Sequence, residues 1–235
     1  MSNNFFFPRI LFVVESLLLV FSATIAFGAT QLPDAEGKAL VDIAKTLGKT
    51  NWNFSADPCG GDYGWANPKP VKGFEDAVTC NCYLPNSTFC HVTSIVLKSQ
   101  SLPGKLPPEL NRLPHLQEID LTRNYLYGTI PREWASLPLF PGWKPSHWLH
   151  PYGSCNIITL KSFVIDFNSF SGVLPPKLGD LPNIEKMFLT SNNFTGELPE
   201  TFAKLITLTD FRISDNSFLG RYLILFRIGQ ILRDL

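Results

Sequence analysis

Cysteine, histidine and carboxylate chemistry is the first thing to look for in this chain, and the cysteines are the most telling. Cys59, Cys80, Cys82 and Cys90 crowd into one stretch, and Cys155 stands apart. In an oxidising compartment an even set reads as two bridges, with three connectivities open. Proximity along the chain favours Cys59–Cys80 and Cys82–Cys90. A zinc knuckle is the competing chemistry, but the pair Cys80 and Cys82 has no matching second pair at metal-ligand spacing. His147, His150 and Cys155 form a second candidate metal set, and it lacks a fourth ligand and supporting partners. Catalytic signatures are missing: no G-x-G-x-x-G loop, no H-R-D, no D-F-G, no H-E-x-x-H and no G-x-S-x-G occurs. Asp166-Phe167-Asn168 resembles the third of these only in passing. The chain therefore reads as a non-enzyme with no cofactor and no metal. Asn53-Phe54-Ser55, Asn86-Ser87-Thr88 and Asn193-Phe194-Thr195 are glycosylation sequons, credible if the chain is exported.

The N-terminus bears on export. Ile10 to Phe21 is apolar apart from Glu15 and Ser16, Arg9 precedes it, and Ala26-Phe27-Gly28 fits a small-residue cleavage site. Residues 1–28 are read as a signal peptide cut near Gly28 or Ala29. The competing reading is a buried or anchoring helix. A composition of 45% hydrophobic and 17% charged residues permits a packed core. Lys+Arg and Asp+Glu are equal at 20 each, so nothing asks for nucleic acid as a partner.

What positions these residues is a repeat. Leu116, Ile119, Leu121, Asn124, Leu126, Gly128, Ile130 and Pro131 lie 24 residues after Val92, Ile95, Leu97, Gln100, Leu102, Gly104, Leu106 and Pro107. The same series runs from Leu160 through Phe163, Ile165, Asn168, Phe170, Gly172 and Leu174 to Pro175. It recurs from Ile184 to Pro199 with Asn192, and from Leu208 to Gly220 with Asn216. Such a period predicts a solenoid whose short strands stack their inward residues into one core that no single coil owns. Asn124, Asn168, Asn192 and Asn216 then sit where the chain leaves each strand, and an amide there can satisfy stranded backbone groups. The following Gly permits a tight bend, and the Pro holds an extended path.

The pattern L-x-x-L-x-L-x-x-N-x-L-x-G-x-[IL]-P, clearest from Leu116 to Pro131 and Leu160 to Pro199, resembles the plant class of leucine-rich repeats. Asp57-Pro58-Cys59, Val78-Thr79-Cys80-Asn81-Cys82 and Cys90-His91-Val92 resemble the N-terminal cap of plant receptor-like kinases. More specifically, the chain resembles the group in which a malectin-like domain, a membrane helix and a Ser/Thr kinase follow the repeats. The resemblance covers about residues 31–138 and 160–220. It implies an α/β repeat solenoid, a leucine-rich-repeat horseshoe or superhelix with a disulfide-bonded helical cap. The cap spans residues 31–90, and repeats occupy 91–138 and 160–220. Within the cap, Asp34 is read as a helix N-cap, and Leu40, Ile43, Ala44 and Leu47 as an apolar face covering the open end of the first coil up to Gly48.

Two stretches depart from the period. Asn124 and Asn168 are 44 residues apart where two repeats would need 48. Residues 139–159 carry no repeat and read as a coil overwritten by foreign sequence, against a binding loop or a metal site. Residues 221–235 diverge as well, and neither a second cysteine cap nor a membrane anchor follows, so the chain reads as truncated relative to the receptor family.

The strand residues that do not face the core are expected to line the concave surface and to bind: Glu118, Asp120, Arg123, Val164, Asp166, Phe167, Lys186, Phe188, Asp210 and Arg212. Aromatics among charges suit a peptide or protein ligand, a co-receptor ectodomain among the candidates. The resemblance implies the ligand-sensing, cell-surface part of a receptor-like kinase. A stand-alone secreted inhibitor of polygalacturonase type and a wall scaffold are the alternatives.

Overall fold

A computed structural model describes residues 31–60, 64–85, 87–135 and 158–219. The signal-peptide segment, Asn86, His147, His150, Cys155 and residues 220–235 lie outside these. Helix α1 (Asp34–Leu47) is followed by β1 (Asp76–Asn81) and β2 (His91–Leu97), and then by short strands in pairs. These are β3 (Glu118–Asp120) and β4 (Tyr127–Gly128), β5 (Ser162–Val164) and β6 (Ser169–Val173), β7 (Lys186–Phe188) and β8 (Asn193–Gly196), and β9 (Asp210–Arg212) and β10 (Ser217–Phe218). They form two sheets. One has six strands in the order β1-β2-β3-β5-β7-β9, and the other has four in the order β10-β8-β6-β4.

From β2 onward the larger sheet is parallel, with Ile95 opposite Ile119, Ile119 opposite Phe163, Phe163 opposite Met187 and Met187 opposite Phe211. All five side chains are buried in one core. Each fully buried aliphatic or aromatic side chain contributes about 1.5–3 kcal/mol of apolar transfer. On the second sheet Phe170, Phe194 and Phe218 stack at 6.3 Å and 6.2 Å between centroids. Short 3-10 turns, Pro108–Arg112, Pro176–Asp180 and Glu200–Lys204, complete the coils on the opposite side.

The asparagines tie each coil to the one before it. The Asn168 Nδ2 amide donates to Leu121 O of the previous coil at 3.0 Å and to Ile165 O of its own at 3.1 Å. Its Oδ1 accepts from Leu126 N at 3.2 Å. Asn124, Asn192 and Asn216 repeat the arrangement against Leu97 O, Ile165 O and Leu189 O. One side chain thus serves two backbones, which is why a neutral group with both donor and acceptor recurs there. Gln100, in the first coil, donates to Lys98 O and accepts from Lys49 Nζ of the cap. Its longer amide reaches the cap, where no earlier coil exists. Gly128, Gly172 and Gly196 adopt φ of 89°, 82° and 77°, a region that favours glycine.

The strand stack is unbroken across the 44-residue interval: β5 pairs directly with β3, Glu118 opposite Ser162 and Asp120 opposite Val164. Residues 139–157, read from the sequence as an overwritten coil, lie outside the described residues. One expectation changes: Asp34 does not cap α1. Pro33 O accepts from Glu36 N and Gly37 N, so the boundary is Pro33, no side chain caps it, and Asp34 is the first helical residue. The apolar face of α1, Leu40, Ile43, Ala44 and Leu47, is buried against the first coil as expected, with α1 packing on the turn Pro108–Arg112, and β1 covers the exposed edge of β2 by pairing antiparallel to it. Edge pairing of this kind shields unpaired backbone groups. The C-terminal carbonyls of α1 are met by the first coil, with Gly104 N donating to Leu47 O and Lys105 N to Thr46 O. A Cβ on Gly104 would meet Thr46 O at 2.1 Å, so this glycine is needed for close approach.

Candidate functional site

The cap is held by particular contacts. Cys59 is bonded to Cys80, and Cys82 to Cys90. Glu36, 2% exposed, accepts from Val92 N at 2.9 Å and pairs with His91 Nδ1 at 2.5 Å. His91 stacks on His115 of the next coil at 4.3 Å between ring centroids. Burial, and then the neighbouring His91, push the His115 pKa below its ordinary value. Lys49, also buried, pairs with Asp76 at 2.6 Å. Glu36, Lys49 and Asp76 lie before Val92, the first position of the repeat series, so periodicity gave no signal for them.

Because β3, β5, β7 and β9 are neighbours in register, their outward residues make continuous rows. One row is Ser94, Glu118, Ser162, Lys186 and Asp210, and the next is Val96, Asp120, Val164, Phe188 and Arg212. Beyond the strands Arg123 and Phe167 take φ of 59° and 56°, just before the ladder asparagines. Both side chains are exposed there, with the Arg123 guanidinium 5.3 Å from the Phe167 ring centre. Arg212 lies over Phe188 at 4.1 Å and pairs with Asp210 at 3.0 Å. Lys186 and Arg212 are exposed, and Glu118, Phe188 and Asp210 are half-buried. Ser94 Oγ donates to Glu118.

Asp120, Val164 and Asp166 are buried rather than solvated, at 8%, 8% and 9% exposure. Adjacent strands lie only about 4.8 Å apart, so short side chains are roofed over by their longer neighbours. Asp120 accepts from Thr122 N and Oγ1 and pairs with Lys98 at 3.1 Å. Lys98 also reaches Glu75 of the cap at 3.7 Å. Burial opposes the Lys98 charge, but Asp120 and Glu75 together hold its pKa above the usual value. Asp166 accepts from Thr190 N at 2.7 Å, and its pKa is pushed up to about 6, chiefly by burial, with Asp120 and Asp210 adding to it and Thr190 and Arg212 opposing.

This floor and its rows can bind a side chain or an extended backbone. No cluster of metal-binding side chains occurs among the described residues. Asn53 and Asn193 are exposed, on the cap and on β8.

The family model for the leucine-rich repeat matches residues 115–137 and 183–205. An Arabidopsis thaliana protein named as a probable leucine-rich repeat receptor-like serine/threonine-protein kinase is 51% identical over 182 residues, 74% of this chain and 17% of its own length. A second such kinase of that plant is 43% identical over 134 residues, 56% of this chain and 13% of its own. The chain thus spans less than a fifth of these relatives. Among solved structures, the ectodomain of the receptor kinase SOBIR1 from Arabidopsis thaliana shares the fold, with TM-score 0.59, 24% identity, and coverage of 81% of this chain and 84% of that one. So does the ectodomain of the plant receptor kinase GASSHO1/SCHENGEN3, with TM-score 0.60, 21% identity, and coverage of 84% of this chain and 20% of that one. A repeat period, an asparagine ladder and these relatives converge: the chain is a leucine-rich-repeat solenoid, similar to the repeat ectodomain of plant leucine-rich-repeat receptor-like serine/threonine kinases.

Proposed function

We propose that the chain is the extracellular ligand-binding region of a plant receptor-like kinase, and that a peptide or protein ligand lies across the concave face between Glu118 and Arg212. The observation that carries this is the unbroken register from β2 to β9, which sets Phe188, Arg212, Lys186 and Glu118 on one surface despite the interrupted repeat. The solved GASSHO1/SCHENGEN3 ectodomain is in complex with CASPARIAN STRIP INTEGRITY FACTOR 2, and another fold relative is PEPR1–AtPEP1, which supports a ligand of peptide kind. Relatives named as receptor-like kinases favour this reading over a stand-alone polygalacturonase inhibitor.

The same reading places the chain in the secretory pathway and at the cell surface. Residues 1–28 are removed as a signal peptide, and glycans are carried at Asn53, Asn86 and Asn193. The full-length protein carries a malectin-like domain, a membrane helix and the kinase, and a co-receptor ectodomain joins the ligand-bound face.

The test is selection from a displayed peptide library on the full chain and on a Phe188→Glu/Arg212→Glu variant. Peptides enriched on the native chain should lose binding to the variant. Equal enrichment on both would place binding elsewhere.

A further inference from the structure

Among the described residues of the concave face, one buried carboxylate has no ion pair. Asp120 is met by Lys98 at 3.1 Å and Asp210 by Arg212 at 3.0 Å. Asp166 lies on the same face at 9% exposure and makes no ion pair among the described residues. Its Oδ1 takes the Thr190 N–H at 2.7 Å, and its Oδ2 has no partner there, yet it is not among the atoms sealed from solvent. A buried carboxylate without a counter-charge is costly. The structural task at this position does not require that cost, because accepting one backbone N–H needs only an amide oxygen. The ladder asparagines do the same work with neutral side chains, as Asn192 Oδ1 does for Phe170 N.

The surroundings narrow what could answer the charge. Asp166 follows Val164 on the same side of the chain, and Phe188 stands opposite Val164 on the next strand. The nearby Arg212 is occupied by Asp210 and by the Phe188 ring. Asp120 and Asp210 add negative potential, which together with burial keeps the Asp166 pKa raised. A cation arriving here would find a desolvated, electronegative floor beside an apolar strip.

We propose that Asp166 anchors a Lys or Arg side chain of the peptide ligand, with an apolar side chain of the same ligand lying on Val164 and Phe188. This rests on the reading that the concave face binds a peptide. It assigns the ligand's charge at one point of the face.

The experiment is a displayed peptide library selected in parallel on the full chain and on Asp166→Asn, which keeps an acceptor for Thr190. Synthetic copies of an enriched peptide, one with Arg and one with citrulline at the selected position, then go into calorimetry. The native chain should enrich Lys or Arg next to an apolar residue. Asp166→Asn should keep the apolar preference and lose the basic one. The Arg peptide should bind Asp166→Asn at least about tenfold more weakly than the native chain. Citrulline should weaken binding to the native chain by a similar factor, which needs no variant to fold. Enriched peptides without a basic preference, or an Arg peptide that binds both chains alike, would overturn the assignment while leaving the concave-face reading standing. If nothing is enriched, or enriched peptides bind Phe188→Glu/Arg212→Glu undiminished, both fall.

Discussion

The two ends of the described structure solve the same problem by different means. At the cap, the first coil is closed by single contacts: two disulfides, the buried Glu36 on Val92 and His91, and the buried Lys49 on Asp76 and Gln100. From Ile119 to Phe218 each coil is closed by its neighbour through repeated positions, an apolar column and an asparagine amide. A solenoid coil has a neighbour that offers the same groups every time, so one residue type at one position suffices. The first coil has no such neighbour and is closed by contacts that do not recur among the other described coils. Contacts of the repeat are therefore many and interchangeable, and those of the cap are few and individual.

The largest expected effect is in the repeat. Phe163→Ala opens a cavity at the centre of the column, against Ile119, Met187 and the Trp134 ring 5.4 Å away, and should cost roughly 4 kcal/mol in denaturant unfolding. Phe211→Ala, in β9 at the end of the larger sheet and at 7% exposure, should cost visibly less. Equal losses would mean that the column is not what closes the coils.

The cap comes next. Losing the Cys59–Cys80 bond through a double Ser variant frees a 21-residue separation and should cost about 3 kcal/mol. Glu36→Ala leaves Val92 N without its acceptor in a buried site and should cost about 2 kcal/mol. Hydrogen exchange should show both losses concentrated in β1 and β2, with β7 and β9 protected as before. Uniform loss of protection would erase the distinction between the two ends.

A smaller effect depends on pH. The folded Asp166 pKa, about 6, lies above its ordinary value of 3.8. Between those values the folded state holds a proton that the unfolded chain has released, so stability falls as pH rises from about 4 to 6. Asp166→Asn should remove that fall and be the more stable protein at pH 7, by about 1–2 kcal/mol after solvent screening. Parallel melting curves at pH 4 and 7 check it, and an identical pH slope in both proteins would contradict the burial of the charge. The smallest effect is expected at the exposed Lys204–Asp180 pair, where Asp180→Asn should change stability by less than about 0.5 kcal/mol.

The same contrast explains what the sequence revealed. Ile95, Ile119, Phe163, Met187 and Phe211, and the asparagines from 124 to 216, could be placed because periodicity reports positions that share one environment. Glu36, Lys49 and the strand β1 could not, because nothing in the period marks a unique partner. The burial of Asp120 and Asp166 was hidden for another reason. Alternation shows which face a residue points to, but not how far the side chains beside it close over that face. The neighbourhood of β3 and β5 was not legible either, because a period counts residues, whereas stacking counts strands.

The most direct test of the account is therefore the contact between β3 and β5. Glu118→Cys and Ser162→Cys, introduced together with Cys155→Ser, place one thiol on each strand at paired positions. Adjacent strands lie about 4.8 Å apart, within disulfide reach, and strands with a coil between them would be about 10 Å apart and beyond it. A continuous concave face predicts that a peptide linked through positions 118 and 162 appears by mass spectrometry under mild oxidation. Two free thiols in a folded chain would mean that the face is broken where the repeat is broken.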